Sequence, residues 1–257
     1  MKTERSSSRV ESVAKAATIL EAFAVSTPVL SLRSLSGETG IPRSTLHGLC
    51  GTLCDFGLLE LVPGHGYQLG TGLITLGNQV SYRRQFLQAT QGLLTPLLQG
   101  EGTWILVGQL IGGWVVYLAR MTSEKQGRVN SLAGLRVPAH QTACGKGALS
   151  LLQDDEVARR VGAAAKRDRR TPPAIPDLLR QLDQIRAAGY VVNSDFSPGR
   201  VSVGSGVIDS FGSVVGGISI GGPPTVLTVE TIRRMSPRLM SIAHQIGERL
   251  PTLQARW

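Results

Sequence analysis

Residues 31–69, SLRSLSGETGIPRSTLHGLCGTLCDFGLLELVPGHGYQL, decide the fold of the amino-terminal part of this chain. Ser31 is placed to cap a short helix over 32–39, because its hydroxyl can accept from an amide of the first turn. Gly40 stops that helix, since glycine enters the left-handed region at little steric cost. Only Ile41 and Pro42 intervene before the next helix, and proline suits a first turn where no amide hydrogen is needed. Leu46, Leu49, Cys50 and Leu53 then recur at helical spacing, which predicts a helix over 43–56 with that stripe inward and Gly57 as its stop. Residues 58–62 read as a strand, Pro63-Gly64-His65-Gly66 as a tight turn and 67–69 as the return strand.

Upstream, Val10, Val13, Ala14, Ala17, Leu20 and Phe23 predict a helix with those residues as its buried stripe. Three helices, the last two joined by a short glycine-containing turn, followed by a hairpin, make a winged helix-turn-helix. A helix running from Leu73 through Val80 towards Leu98 would connect it to the rest. From Thr103 the texture changes. TWILVGQL and WVVYLARM are β-rich runs hinged at Ile111-Gly112-Gly113, hence a hairpin. Helices are expected over 143–152 and 175–188, a short strand at 190–192, a second hairpin over 201–220 and a last helix over 229–250. Strands between helices imply an α+β domain with an antiparallel sheet.

A chain of 257 residues suits two domains, and 42% hydrophobic residues suffice for real cores. No apolar run reaches the ~18–20 residues of a membrane span. The polar start MKTERSSSRVESV lacks a secretory apolar stretch, and an odd number of cysteines, three, fits a reducing cytoplasm. The formal charge of +9 suggests a nucleic-acid partner, yet it is unevenly placed. Residues 1–80 hold six bases and six acids, so 21 of the 27 bases and 12 of the 18 acids lie beyond Val80. DNA reading must therefore be argued from local placement of charge.

Several further segments stand in a fixed order: SVAKAATILEAF (12–23), GIPRSTLHGLCGTL (40–53), GLLELVPGHGYQLGTGLITLG (57–77), QTACGKGALS (141–150), RAAGYVV (186–192) and VIDSFGSVVGGISIGGP (207–223). On these residues the chain resembles the IclR family of bacterial transcriptional regulators along nearly its whole length. The resemblance implies a winged helix-turn-helix over 1–71, a linker helix over 72–87 and a GAF-like effector-binding domain over 88–257. It further implies a dimer, or a dimer of dimers, on a palindromic double-stranded operator.

With the leucines of the third helix inward, its outer face carries Arg43, Ser44, Thr45, Gly48, Gly51, Thr52 and Asp55. Arg43 is expected at a guanine edge or phosphate, and Ser44 and Thr45 at phosphates near the helix start. His65 at the hairpin tip is expected at the adjacent minor groove or its phosphates, and Arg33 and His47 complete the candidate DNA-contacting set. Family members usually carry a basic residue where Gly48 stands, so one expected contact is missing here.

Residues 140–146 lie where a loop turns into a helix, so first-turn amides can hold an anion and a carboxylate effector is expected. By resemblance, Ala143 and Cys144 supply those amides, and Asn193, Ser202 and Ser219 supply polar side chains. The family often has an acid at the first of these three positions and a cysteine at the second, so this pocket departs at both. Leu132 and Leu135 are either an apolar wall of the pocket or ordinary core. No catalytic residue, cofactor or metal is expected.

Two alternatives come from the residues themselves. Cys144 at a helix start with His140 four residues earlier has the makings of a thiol enzyme, though no acid is evident to orient the histidine. His47, Cys50 and Cys54 share a helical face and are legitimate zinc ligands, so a metal- or thiol-responsive DNA-binding sensor is the other; Cys50 on the core stripe favours a buried hydrophobe. Lys166-Arg167 and Arg169-Arg170 are expected in a solvated loop, or as extra attraction to DNA or a dimer contact, and Arg233-Arg234 on exposed surface.

Overall fold

In a computed structural model, the residues described are 10–23, 28–79, 81–98, 100–123, 134–168, 170–194 and 198–250. The chain divides into two compact units, Met1–Ser81 and Tyr82–Trp257.

The first unit holds α1 (Glu11–Ala22), α2 (Leu32–Thr39), α3 (Arg43–Asp55), the antiparallel pair β1 (Leu59–Val62) and β2 (Gly66–Leu69), and α4 (Gly72–Asn78). Ser31 caps α2 by accepting from the Ser34 amide at 3.1 Å, and Gly40 ends it at φ 70°. Ile19, Leu35, Leu46, Cys50 and Leu59 form the centre of the core. The stripe expected on α1 is corrected. Val10 and Val13 are 62% and 66% exposed, whereas Ile19, Ala22 and Phe23 are buried with Ala16 and Leu20 beside them. Residues 16, 19, 20 and 23 follow the i, i+3, i+4, i+7 rule better than the stripe begun at Val10. The wing is tied to the segment before α2 by Leu30 and Tyr67, which exchange amide–carbonyl bonds of 2.9 Å. Only glycine fits beside this bridge: Gly66 has φ 133°, and a Cβ there would lie 2.3 Å from the Leu30 carbonyl oxygen.

The single connecting helix expected after Leu73 is divided. Besides α4 there is α5 (Ser81–Thr90), then a 3-10 turn at Thr95–Leu97, with Pro96 unable to extend a helix. Ile74 and Leu76 on α4 are 64% and 59% exposed, while Phe86, Leu94 and Leu97 are buried in the second unit's core.

The second unit is a six-stranded antiparallel sheet in the order β5-β4-β3-β8-β7-β6. Its strands are β3 (Trp104–Ile111), β4 (Trp114–Thr122), β5 (Arg136–Pro138), β6 (Val191–Asn193), β7 (Val201–Ile208) and β8 (Val214–Gly222). Alternation sends Ile105, Val107, Val203, Ile218 and Ile220 to one face, where α9 (Val229–Arg249) packs through Leu239, Ile242 and Ile246. The other face carries α6 (Ala143–Leu149), with α7 (Asp154–Arg167) and α8 (Ile175–Ala188) around it.

Helix α7 replaces the solvated loop expected around Lys166 and Arg167. Its first turn holds Asp154, Asp155 and Glu156 and its last turn Lys166 and Arg167, the distribution a helix dipole favours. Val157, Val161, Ala164 and Ala165 are its buried stripe. Arg167 lies over the Trp114 ring, whose Nε1 donates to Asp168 at 3.0 Å. Arg169 lies outside the described residues. Arg233 and Arg234 are exposed on α9. No helix among the described residues is long and apolar enough to cross a membrane.

Candidate functional site

Two surfaces are candidates, one in each unit. On α3, Arg43, Ser44, His47, Gly48 and Thr52 are exposed and Thr45 is half-buried; Arg33 is exposed on α2. No side chain caps the start of α3, where Pro42 precedes the first turn. Its first amides therefore remain available to an anion, with the positive end of the helix dipole behind them. Thr52 Oγ1 donates to the Gly48 carbonyl at 3.0 Å, so its hydroxyl presents acceptor character outward. At the wing tip, exposed His65 donates from Nδ1 to the Pro63 carbonyl at 2.9 Å, which directs Nε2 away from its own turn. Around Gly48 there is nothing within 4 Å of a Cβ, so the space of the missing side chain is open.

In the second unit, the sheet register builds a cavity against α6. Cross-strand neighbours share a face, so Thr122, Trp104, Gly221, Ser202 and Asn193 form one row, and Arg120, Leu106, Ser219 and Gly204 the next. Tyr117 and Arg120 are three residues apart and would face opposite ways on a regular strand. A bulge corrects this: Val107 pairs with Ala119 but Gly108 with Tyr117, leaving Leu118 as the extra residue, buried on the α9 side. The cavity has a volume of about 320 Å³. Trp104, Leu106, Tyr117 and Leu135 give it apolar walls, Thr142, Asn193, Ser202 and Ser219 polar ones, and Arg120 and Arg200 its charge.

The residues expected here divide into three groups. Ala143, Asn193, Ser202, Ser219 and Leu135 line the cavity, and Leu135 also packs against the α6-side core. Cys144 stands behind the wall: its thiol donates to Ser219 Oγ at 3.0 Å. Leu132 lies outside the described residues. Several polar atoms are already engaged. Asn193 Oδ1 accepts from Lys146 Nζ at 2.9 Å, its Nδ2 donates to the Gln141 carbonyl at 3.1 Å, and Thr142 Oγ1 accepts from the Gly145 amide at 2.9 Å. Lys146 is itself buried, so Asn193 serves the α6 side of the wall as much as the cavity.

Trp104, Tyr117, Arg120, Thr142 and Arg200 were not among the expected site residues. Only strand register could have found the first three, and the bulge hides it. Arg120 and Arg200 each hold a guanidinium 5.3 Å from the Trp104 ring centroid. Arg120 Nε is buried and has no hydrogen-bond partner among the described residues. The Trp104 ring lies on Gly221, where a Cβ would come within 2.4 Å of it. Burial pushes the Tyr117 phenol well above its usual range, so it stays protonated.

Cys144 and His140 do not form a thiol–imidazole pair. Complete burial pushes the Cys144 thiol up to about 12, although the hydrogen bond with Ser219 pulls the other way. His140 is held below its usual value, mainly by burial and then by Lys146, so its ring is neutral near pH 7. It faces a more open groove of about 600 Å³ between residues 139–146 and α8. In the first unit, Cys50 is fully buried, and burial pushes it up to about 11. Among the described residues no three His, Cys, Asp or Glu side chains are grouped to hold a metal ion.

A measurable consequence follows. Iodoacetamide at pH 8 should leave Cys144 untouched in the native protein and modify it fully in urea, as read by mass spectrometry of its peptide. Rapid native modification would contradict the burial. Because the folded thiol keeps its proton from 9.0 up to about 12, its contribution to stability is complete below pH 9 and is lost as pH rises towards 12.

Comparison with known proteins agrees with this architecture. Residues 12–63 match the family model of the IclR helix-turn-helix domain, and residues 79–248 that of the bacterial transcriptional regulator IclR C-terminal domain. The chain is 30% identical over 190 residues to the HTH-type transcriptional regulator XynR of Escherichia coli, covering 72% of this chain and 75% of XynR. It is 29% identical over 187 residues to the HTH-type transcriptional regulator TtgV of Pseudomonas putida, covering 72% and 71%. Among solved structures, an IclR family transcriptional regulator from Brucella abortus superposes with a TM-score of 0.77 at 22% identity, covering 96% of this chain and 95% of that one. An IclR homologue from Microbacterium hydrocarbonoxydans, complexed with 4-hydroxybenzoate, gives 0.69 at 19% identity, covering 93% and 98%. With both of its units matched, this chain belongs to the IclR family of bacterial transcriptional regulators and is a DNA-binding regulator, not an enzyme.

Proposed function

We propose that this protein is a cytoplasmic, effector-controlled regulator of a metabolic operon, acting as a dimer or a dimer of dimers on a palindromic operator. Residues 1–71 read DNA, 72–87 link, and 88–257 bind the effector. Helix α3 enters the major groove. Arg43 meets a base edge or phosphate there, Ser44, Thr45, His47 and Thr52 reach phosphates or bases beside it, and Gly48 leaves a gap in the contact. Arg33 and His65 hold the backbone on either side. A small organic acid in the cavity favours one of two geometries of the assembly and so alters operator affinity.

The observation that carries the reading is the cavity of about 320 Å³ on the α6 face, within the size range of small-ligand sites and with few convergent polar groups. The larger groove beside α8 is more open to solvent and suits an effector less well. The 4-hydroxybenzoate bound by the Microbacterium homologue makes aromatic acids the first compounds to try.

The test is selection of double-stranded DNA on the full-length protein, followed by titration of the selected site with and without aromatic acids at several salt concentrations. An inverted repeat is expected, with at least one acid changing its affinity about tenfold, a typical coupling of 1–3 kcal/mol. A selected site without two-fold symmetry would overturn the operator reading. Acids that bind the protein yet leave DNA affinity unchanged at every salt concentration would overturn the switch.

A further inference from the structure

We infer that the effector is a flat, ring-based carboxylate whose acid group binds at the Arg120–Arg200 wall beside Trp104, away from the start of α6. This rests on the effector reading above and gives it a ligand class and a polarity.

Three of the polar side chains near α6 already have partners within the protein. Asn193 is engaged by Lys146 and Gln141, Thr142 by Gly145, and Ser219 by Cys144. On the β3–β4 side the balance is reversed. Arg120 Nε is buried without a partner among the described residues, and such a group calls for an acceptor. Two guanidinium groups approach one indole, Arg120 from β4 and Arg200 from the segment just before β7. Both positive charges line the same cavity, where a bound anion offsets them. Among the described residues no carboxylate lines the cavity to serve instead. A guanidinium beside a ring keeps its N–H edges for in-plane bonding, the geometry that grips a carboxylate with two parallel bonds.

The rest of the ligand follows from the walls. Trp104, Tyr117 and Leu106 present flat or apolar surface, and the volume of about 320 Å³ suits a single substituted ring.

The test uses the full-length protein with benzoate, 4-hydroxybenzoate and phthalate, each beside its neutral carboxamide. Binding is read by calorimetry and by quenching of tryptophan fluorescence. At least one acid should bind roughly 10–100-fold more tightly than its carboxamide, the usual worth of a charge-assisted hydrogen bond. Arg120→Gln should abolish that preference. Arg200→Gln, at an exposed position that the fold tolerates, should reduce it without altering the unfolding transition. The inference is overturned if no acid in the set binds, if the carboxamides bind equally well, or if both variants keep the preference. A neutral compound that binds and releases operator would defeat this inference alone. An acid that obeys the arginine dependence yet leaves operator affinity unchanged would defeat only the switch.

Discussion

Gly217→Val is expected to destabilise the effector-binding unit by about 3 kcal/mol, the upper end of what overpacking a filled interior costs. The reason lies in how α6 meets the sheet. Gly108 on β3, Gly217 on β8 and Gly206 on β7 are direct cross-strand neighbours, so they form a trough without side chains. Helix α6 lies in it. A Cβ on Gly217 would stand 2.4 Å from the Cys144 carbonyl oxygen, and one on Gly206 2.3 Å from the Gly147 carbonyl oxygen. Both obstacles are backbone, which cannot rotate aside as the end of a long side chain can. A valine must therefore lift α6 off the strands, disturbing the cavity wall at Thr142 and Ala143 and the Cys144–Ser219 contact.

Urea unfolding followed by tryptophan fluorescence would measure the loss, because Trp104 and Trp114 both belong to the second unit. The midpoint should fall, and ring acids should no longer shift it. Gly162→Ala on α7 is the matched control. Its Cβ would meet nothing within 4 Å, so the exchange should be neutral or gain about 0.5–1 kcal/mol of helix propensity. Equal midpoints for Gly217→Val and the parent protein would mean that α6 does not lie on the sheet backbone.

The trough also marks the limit of what the sequence makes legible. Local signals sufficed for the first unit: a capping serine, two stop glycines and an inward leucine stripe are properties of neighbouring residues, and α2, α3 and the wing follow from them. The α1 stripe went astray because Val10 and Val13 are as apolar as Ile19, and only packing against α2 and α3 separates them. Helix α7 was hidden by its charges, which are surface charges of an amphipathic helix and read as a loop when its four buried small residues go uncounted. In the cavity, what was legible came from the α6 segment and the resemblance. The arginine wall was not, since its residues come from β4 and from the segment before β7 and meet only through pairing register. The bulge at Leu118 then reverses the parity on which a strand reading of Tyr117 and Arg120 would depend.

Gly48→Arg is expected to tighten binding to double-stranded DNA about tenfold near 50 mM salt and to steepen the salt dependence by about 0.9 in log–log slope, the signature of one additional phosphate contact. The exposed face of α3 has a single positive side chain, Arg43, at its start, and residues 1–80 are balanced in charge. One further cation there is a large relative change in local field. The fold can accept it, because a Cβ at position 48 meets nothing within 4 Å. Replacing glycine inside a helix also gains about 1 kcal/mol of propensity, so a stability penalty cannot mask the result. The resemblance implies a basic residue at this position, so the variant is expected to add a contact there. Ala163→Arg on the exposed side of α7 adds the same charge to the other unit and should leave the slope nearly unchanged. Fluorescence anisotropy of a labelled duplex across a salt series distinguishes the two variants. If both steepen the slope equally, attraction to DNA comes from net charge and α3 is not the reading helix. If Gly48→Arg alone steepens it, the face of α3 around residue 48 lies against the phosphates, and the glycine there accounts for a weakened grip on the operator.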